Sequence, residues 1–180
     1  DVAGELERRG RNEIKLVFIG DGGCKEALVS RVRSEELKNC LFFPRMSKME
    51  IVRLSVSFDC GLQVLANVPE FYYGTSPNKF FDYIAAGIPV ICNYPGWVAE
   101  MLKKYNAGLS VPPEDPSSFA DALCYLADNR EQAEGMGKKG RSLAEAKFDR
   151  EQLSKEFLRV VECVGVDPPL TDDVKRSNHQ

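Results

Sequence analysis

Thr75-Ser-Pro-Asn-Lys-Phe-Phe-Asp-Tyr-Ile-Ala-Ala-Gly-Ile-Pro-Val-Ile91 is the stretch on which the reading of this chain turns. Ser76 is a good N-cap residue, and Pro77 suits the first helical position, where its missing N–H is an orphan in any case. That placement leaves the backbone N–H groups of Asn78 and Lys79 at the open end of a helix, where an anion is favoured. Lys79 is an unusual choice, because a cation in the first turn opposes the helix dipole by about 0.3–1 kcal/mol. A negative group such as a phosphate would account for it. Asp82 follows Asn78 by one turn and shares its face. Phe80, Phe81 and Ile84 suit a core, Gly87 stops the helix, and Ile88-Pro-Val-Ile91 opens a buried strand. The plain alternative is a capped helix leading into a core strand, with Lys79 solvated.

Working outward, the chain alternates strands and helices. Residues 1–10 read as the end of a helix, which creates the expectation that a strand, and with it a further domain, precedes residue 1. Ile14-Lys-Leu-Val-Phe-Ile19 is nearly continuous in apolar residues, as a central parallel strand should be. Gly20-Asp-Gly-Gly23 and a helix to about Arg33 follow. The turn falls short of G-x-G-x-x-G, because Lys25 stands where the third glycine would be, so a tight strand-to-helix turn is the competing reading of these glycines.

Cys40-Leu-Phe-Phe43 is the next strand, and Ser47 with Glu50 three residues on forms a capping-box pattern. Asp59–Leu65 reads as a strand and Ala66–Thr75 as a loop. After the organising stretch come a helix from Trp97, a short strand at Leu109-Ser-Val111, a helix capped by Asp115, and two more helices over 130–147 and 150–164. This order predicts an α/β fold: a Rossmann-like, doubly wound parallel sheet whose first strand is absent from the sequence. It assigns residues 1–165 to one domain and 166–180, rich in proline and polar residues, to a disordered tail. Ligands of such sheets bind at the carboxyl ends of the strands. There Gly20–Gly23, Pro44–Ser47 and Tyr73–Asn78 should meet.

Composition narrows the function classes. With 24 basic against 27 acidic side chains and no basic block, the chain lacks the clustered positive surface of a nucleic-acid binder. No apolar run approaches the ~20 residues of a membrane span, and the charged start is unlike a signal peptide. The six cysteines are scattered without a C-x-x-C pair, so free thiols in a reducing cytoplasm are expected. The one histidine, His179, ends the tail, which argues against a zinc site or a histidine triad.

With these residues placed, the chain resembles the C-terminal, donor-binding half of a GT-B glycosyltransferase of family 4 (group 1). The resemblance covers about residues 10–160 and rests on an ordered series: Leu16-Val-Phe-Ile-Gly-Asp-Gly22, Phe42-Phe-Pro-Arg45, Asp59-Cys-Gly-Leu62, Pro77–Ile91 and Ala107-Gly-Leu-Ser-Val-Pro-Pro113. The middle piece is closest to the branch that assembles bacterial surface polysaccharides. The resemblance implies retaining transfer of a sugar from a nucleotide-sugar, a UDP-sugar by preference, to a glycan or lipid-linked acceptor held by an N-terminal domain. It implies no cofactor and no metal. Localisation would be cytoplasmic, at the inner face of the membrane if the acceptor is lipid-linked.

Residue by residue, the resemblance makes Asp82 the second acid of a Glu-x7-Glu pair and the holder of the ribose hydroxyls, one methylene shorter than the usual Glu. The first acid would stand at Gly74, a departure that removes that side chain from sugar recognition. Asn78 and Lys79 would hold the diphosphate, and Arg45 and Met46 would meet the base, although a plain surface role for Arg45 stays open. Lys79 and Asp82 are then the catalytic candidates, and Gly20, Gly22, Arg45, Met46, Ser76 and Asn78 complete the donor-binding set. The family's basic pair lies near a strand that would precede residue 1, so the isolated chain is expected to bind nucleotide weakly and to transfer no sugar. Two other readings stand: a nucleotide-sugar 2-epimerase of the same architecture, and a non-catalytic doubly wound binding module.

Overall fold

Alternation of apolar runs with glycine and proline turns gives βαβ units, and these dominate the computed structural model, which describes residues 1–164. In chain order the elements are α1 (Val2–Arg8), β1 (Leu16–Ile19), α2 (Lys25–Ser34), β2 (Cys40–Phe43), α3 (Lys48–Ser55), β3 (Gly61–Gln63) and α4 (Glu70–Gly74). There follow α5 (Asn78–Ala86), β4 (Val90–Cys92), α6 (Trp97–Tyr105), β5 (Gly108–Ser110), α7 (Pro116–Asp128), α8 (Arg130–Lys147) and α9 (Arg150–Val164). Every strand pairing is parallel, and helices connect the strands, which makes this an α/β Rossmann-like domain. The tail, with Asp172, Asp173 and His179, lies outside the described residues.

The pairing falls into two parts. β1 runs beside β2 from Leu16–Cys40 to Ile19–Phe43, and β3, β4 and β5 form a separate sheet in that order. Here the sequence reading of Ile14–Ile19 as a central strand needs correction. β1 has one partner, and Val17 and Phe18 remain 37% and 40% exposed. A run apolar on both faces signals a strand built for burial, but it does not say whether both edges are paired.

β4 is the buried strand of the other sheet, with Val90, Ile91 and Cys92 all inaccessible to solvent. Ile91 joins the core formed by Ala3 and Leu6 of α1, Phe119 and Leu123 of α7 and Met136 of α8. Strand alternation sends Val90 and Cys92 to the opposite face. α5 and α6 also pack on β4 and contribute the fully buried Phe80, Ile84, Val98 and Leu102. The α1–α7 contact is fastened at its rim by Arg9, which donates to Asp121 at 2.5 Å and to Ser117 Oγ at 2.8 Å.

Two local expectations shift. Ala66–Thr75 is a loop only in part, because Pro69 and Glu70 start the short helix α4. α5 begins at Asn78, with Pro77 rather than Ser76 in the N-cap position. A residue that precedes a proline, as Ser76 does, is disfavoured in the helical region. Its neighbour Thr75 is already fixed, donating from Oγ1 to Phe71 O at 2.7 Å and accepting from Trp97 Nε1 at 2.7 Å. The other cap readings hold. Ser47 and Glu50 form the reciprocal capping box of α3, and Asp115 caps α7 with Pro116 at its first position.

Residues 1–145 form one compact unit, and a second begins at Ala146. In the second, α9 carries Leu153, Phe157, Val160 and Val164 at helical spacing, all exposed. All six cysteines are free. No helix among the described residues is long and apolar enough to cross a membrane.

Candidate functional site

The loops that follow β1 and β2 are tied together by one carboxylate. Gly20, at φ +135°, turns the chain out of β1 in a conformation that side-chain-bearing residues rarely adopt, and its N–H reaches Phe43 O at 3.3 Å. Asp21 then accepts from Lys25 Nζ at 2.6 Å and from the Arg45 backbone N–H at 3.1 Å. Both contacts, the ammonium first, hold its carboxyl below the usual carboxylate range. Lys25, which displaced the third glycine of a dinucleotide fingerprint, also donates to Phe43 O at 3.2 Å. The loop is thus braced by an internal ion pair, and Gly22 is exposed with open space around it.

Next along, α3 satisfies its own start. Ser47 Oγ accepts from Glu50 N–H, while Glu50 Oε2 accepts from Ser47 N–H at 2.7 Å. α5, which packs against α3, is built the other way. No side chain caps it, no acid stands in its first turn, and the Phe80 N–H turns back to Pro77 O at 3.1 Å. The N–H groups of Asn78 and Lys79 are left as the open donors of the helix, although the cap residue is not the one read from the sequence. Every other helix of the described residues has an acid in its first turn or a side-chain cap.

The Lys79 side chain is exposed and has no carboxylate partner among the described residues. Asp82 pairs loosely with Lys48 at 3.5 Å, both side chains being solvent-accessible. The start of α5 is anchored from below by Trp97, whose ring meets Phe80 edge-on at 5.5 Å. Farther along, Tyr83 lays its ring against Gly61 of β3, and burial raises its hydroxyl pKa.

Two pairs are therefore brought together: Asp21 with Arg45, and Asp82 with Lys48. Arg45 and Ser76 are exposed, Met46 is half-buried, and Gly74 is the last residue of α4. The sequence reading passed over Asp21, Lys48, Trp97 and Tyr83. Asp21 alone carried a local signal, the i, i+4 spacing to Lys25. An apolar cavity of residues 1–145 lies elsewhere, between the two sheets, and none of Arg45, Met46, Ser76, Asn78, Lys79 or Asp82 lines it.

The family model described as glycosyl transferases group 1 matches residues 1–143. No curated protein matches the chain. Among solved structures, HepE of Anabaena in complex with UDP aligns with a TM-score of 0.77 at 12% identity, over 90% of this chain and 44% of that one. Sucrose-phosphate synthase from Thermosynechococcus elongatus gives 0.73 at 18% identity, over 91% of this chain and 42% of the other. The C-terminal domain of a group 1 family glycosyl transferase (LpcC) from Francisella tularensis gives 0.65 at 18% identity, with 83% and 77% covered. The chain thus spans less than half the length of the first two, and at these identities the likeness is one of fold.

Proposed function

This chain belongs to the glycosyl transferases group 1 family, and on that premise we propose that it is the donor-binding domain of a retaining, family 4 enzyme that uses a UDP-sugar. The observation that carries the reading is the open start of α5: uncapped, without a first-turn acid, and bearing Lys79 beside two unused N–H donors. A diphosphate supplies the acceptors and the negative charge that this helix end lacks. Complexes of HepE with UDP and UDP-glucose support the choice of nucleotide.

In this reading Asn78 and Lys79 hold the diphosphate through backbone N–H groups, and the Lys79 ammonium adds charge as the bond to the sugar breaks. Stabilisation of a departing anion by preorganised donors needs neither a histidine nor a metal. Asp82 accepts the ribose hydroxyls, and Arg45 and Met46 border the base. Ser76, extended ahead of Pro77, flanks the diphosphate, and Gly20 and Gly22 keep the neighbouring loop low enough for backbone approach. The acceptor, a glycan or lipid-linked sugar of surface-polysaccharide assembly, is held by polypeptide outside this domain, in the cytoplasm or at the inner membrane face.

Calorimetric titration with UDP, GDP and ADP tests the reading. We expect weak, UDP-selective binding and at least about tenfold weaker binding by Lys79→Ala, the scale of one lost charge-assisted hydrogen bond. The chain alone is expected to transfer no sugar. Equal binding of all three nucleotides, or a Lys79→Ala variant with unchanged affinity, overturns the assignment.

A further inference from the structure

The segment that follows β4 is a pedestal for the candidate site. Tyr94 stacks on Tyr72 of α4, with ring centroids 5.8 Å apart. The Gly96 backbone lies so close against Tyr72 O that a Cβ would not fit. Trp97 donates to Thr75 O at 2.7 Å and packs on Phe80 and Phe81 of α5. Residues 94–97 therefore carry α4, the connection to α5 and the start of α5 itself.

Two polar atoms beneath this connection are unsatisfied. Gln63, the last residue of β3, is 3% exposed, and Tyr94 is wholly buried. Neither Gln63 Oε1 nor Tyr94 Oη has a hydrogen-bond partner among the described residues. The two are neighbours, since the Cys92, Gln63 and Thr75 side chains all lie around the hydroxyl. Burial pushes the Tyr94 pKa up to about 12, so the hydroxyl is a donor at neutral pH, and Gln63 Oε1 is an acceptor. One hydrogen bond between them would satisfy both. A buried donor or acceptor left unmade is destabilising, and such atoms in a native structure call for an explanation.

α5 reaches both halves of the pair. On one side Tyr83 lays its ring against Gly61 and its hydroxyl at the Leu62 backbone, immediately before Gln63. On the other, Phe80 and Phe81 hold Trp97, three residues after Tyr94. A shift of α5 therefore bears directly on the separation of Gln63 and Tyr94.

We propose that Tyr94 and Gln63 are positioning residues, a latch beneath the α4–α5 connection that closes when an anionic donor docks at the start of α5. Closure makes the hydrogen bond from Tyr94 Oη to Gln63 Oε1 and fixes residues 75–78 under the diphosphate. The inference rests on the reading of that helix start as the donor site. A ligand shifts such an equilibrium only by its preference for one state, and here the preference is the bond that the docked state alone makes.

The test compares the 180-residue chain with Tyr94→Phe, Gln63→Leu and the double variant. Trp97 is the one tryptophan of the chain, so its emission follows a UDP titration from the pedestal itself. Without nucleotide, Tyr94→Phe deletes an orphaned hydroxyl and should raise Tm by about 2–6 °C. Yet each single variant should bind UDP about tenfold more weakly, because the latch no longer closes. The double variant should bind no more weakly than either single one. Opposite signs separate a latch from a structural contact, whose loss would lower stability and affinity together. A Tyr94→Phe Tm at or below that of the parent shows a hydroxyl satisfied before docking and overturns the proposal. Unchanged affinity in either single variant, or additive losses in the double one, overturns it equally. If Lys79→Ala still weakens UDP binding in that case, the donor reading survives the failure of the latch. If the parent binds no UDP, the donor reading itself fails and the latch falls with it.

Discussion

The packing of Tyr83 on Gly61 is where a single methyl group should move the helix that carries the candidate site. A Cβ at residue 61 would lie 2.5 Å from Cδ2 and 2.7 Å from Cδ1 of the Tyr83 ring, and close to Cγ as well. Carbon atoms rest at about 3.5–4.0 Å, so the ring must retreat by about 1 Å. It cannot do so by a swing of its far end alone, because the clash is at the root of the ring. The next residue, Ile84, is wholly buried, so the demand falls on α5 itself. Overpacking of this kind costs about 1–3 kcal/mol. At about 2–4 °C per kcal/mol for a chain of this size, Gly61→Ala should lower Tm by about 3–10 °C.

A double-mutant cycle isolates the cause. Tyr83→Ala should cost about 2 kcal/mol, less than truncation of a fully buried aromatic because Tyr83 is half-buried. In its background Gly61→Ala meets no ring, so the pair should cost less than the sum by at least about 0.5 kcal/mol. The assay is reversible thermal or urea unfolding of the four proteins. A Gly61→Ala variant as stable as the parent, or strict additivity, would refute the contact argument. Because α5 also presents Asn78, Lys79 and Asp82, the same variant should bind UDP more weakly at temperatures where it is fully folded.

Other outcomes follow from charge and burial. Hydrogen bonds from Arg8, then Arg9, depress the Glu5 pKa from 4.5 to about 2. A depressed carboxylate contributes stability that is complete above pH 4.5 and is lost as pH falls toward 2, so Glu5→Gln should flatten that part of the acid-unfolding curve. Burial pushes the thiols of Cys60 and Cys92 up to about 12 and about 11. At pH 8 iodoacetamide should therefore modify exposed Cys24 and Cys163 first and spare Cys60 and Cys92, as peptide mass mapping would reveal.

What the sequence made legible was local. The capping box at Ser47 and Glu50 and the Asp115-Pro116 start of α7 involve side chains three residues apart or fewer, and both helices begin where those signals stand. The limits of α8 and α9 also match their reading. The residues ahead of α5 were misread because Thr75 answers to a distant group, the Trp97 indole, which no local pattern announces. Asp21 with Arg45, and Lys48 with Asp82, join residues on different elements, so their meeting depends on which strands become neighbours. The exposure of β1 has the same origin. Its apolar run states what the strand needs, and the pairing decides what it obtains.

The contrast between α3 and α5 bears most directly on the site. These helices pack together, yet the first spends its open donors on Ser47 and Glu50 and the second keeps them. Glu50 offsets the helix-end charge of α3, and the Ser47 hydroxyl, then the Ser47 backbone N–H, hold its carboxyl low. At α5 the nearest basic side chain is Lys79, which adds to the helix-end charge instead of cancelling it. The one acid one turn on, Asp82, is engaged only by an exposed Lys48 at 3.5 Å, a contact worth at most about 1 kcal/mol. In the proposed reading such a weak pair gives way readily to the two ribose hydroxyl donors. In a chain of net charge −3, this local concentration of positive charge around solvent-exposed N–H donors suits an anion. In the proposed reading a nucleoside diphosphate fits both features together, phosphate at the helix end and ribose hydroxyls at Asp82, whereas inorganic phosphate fits only the first.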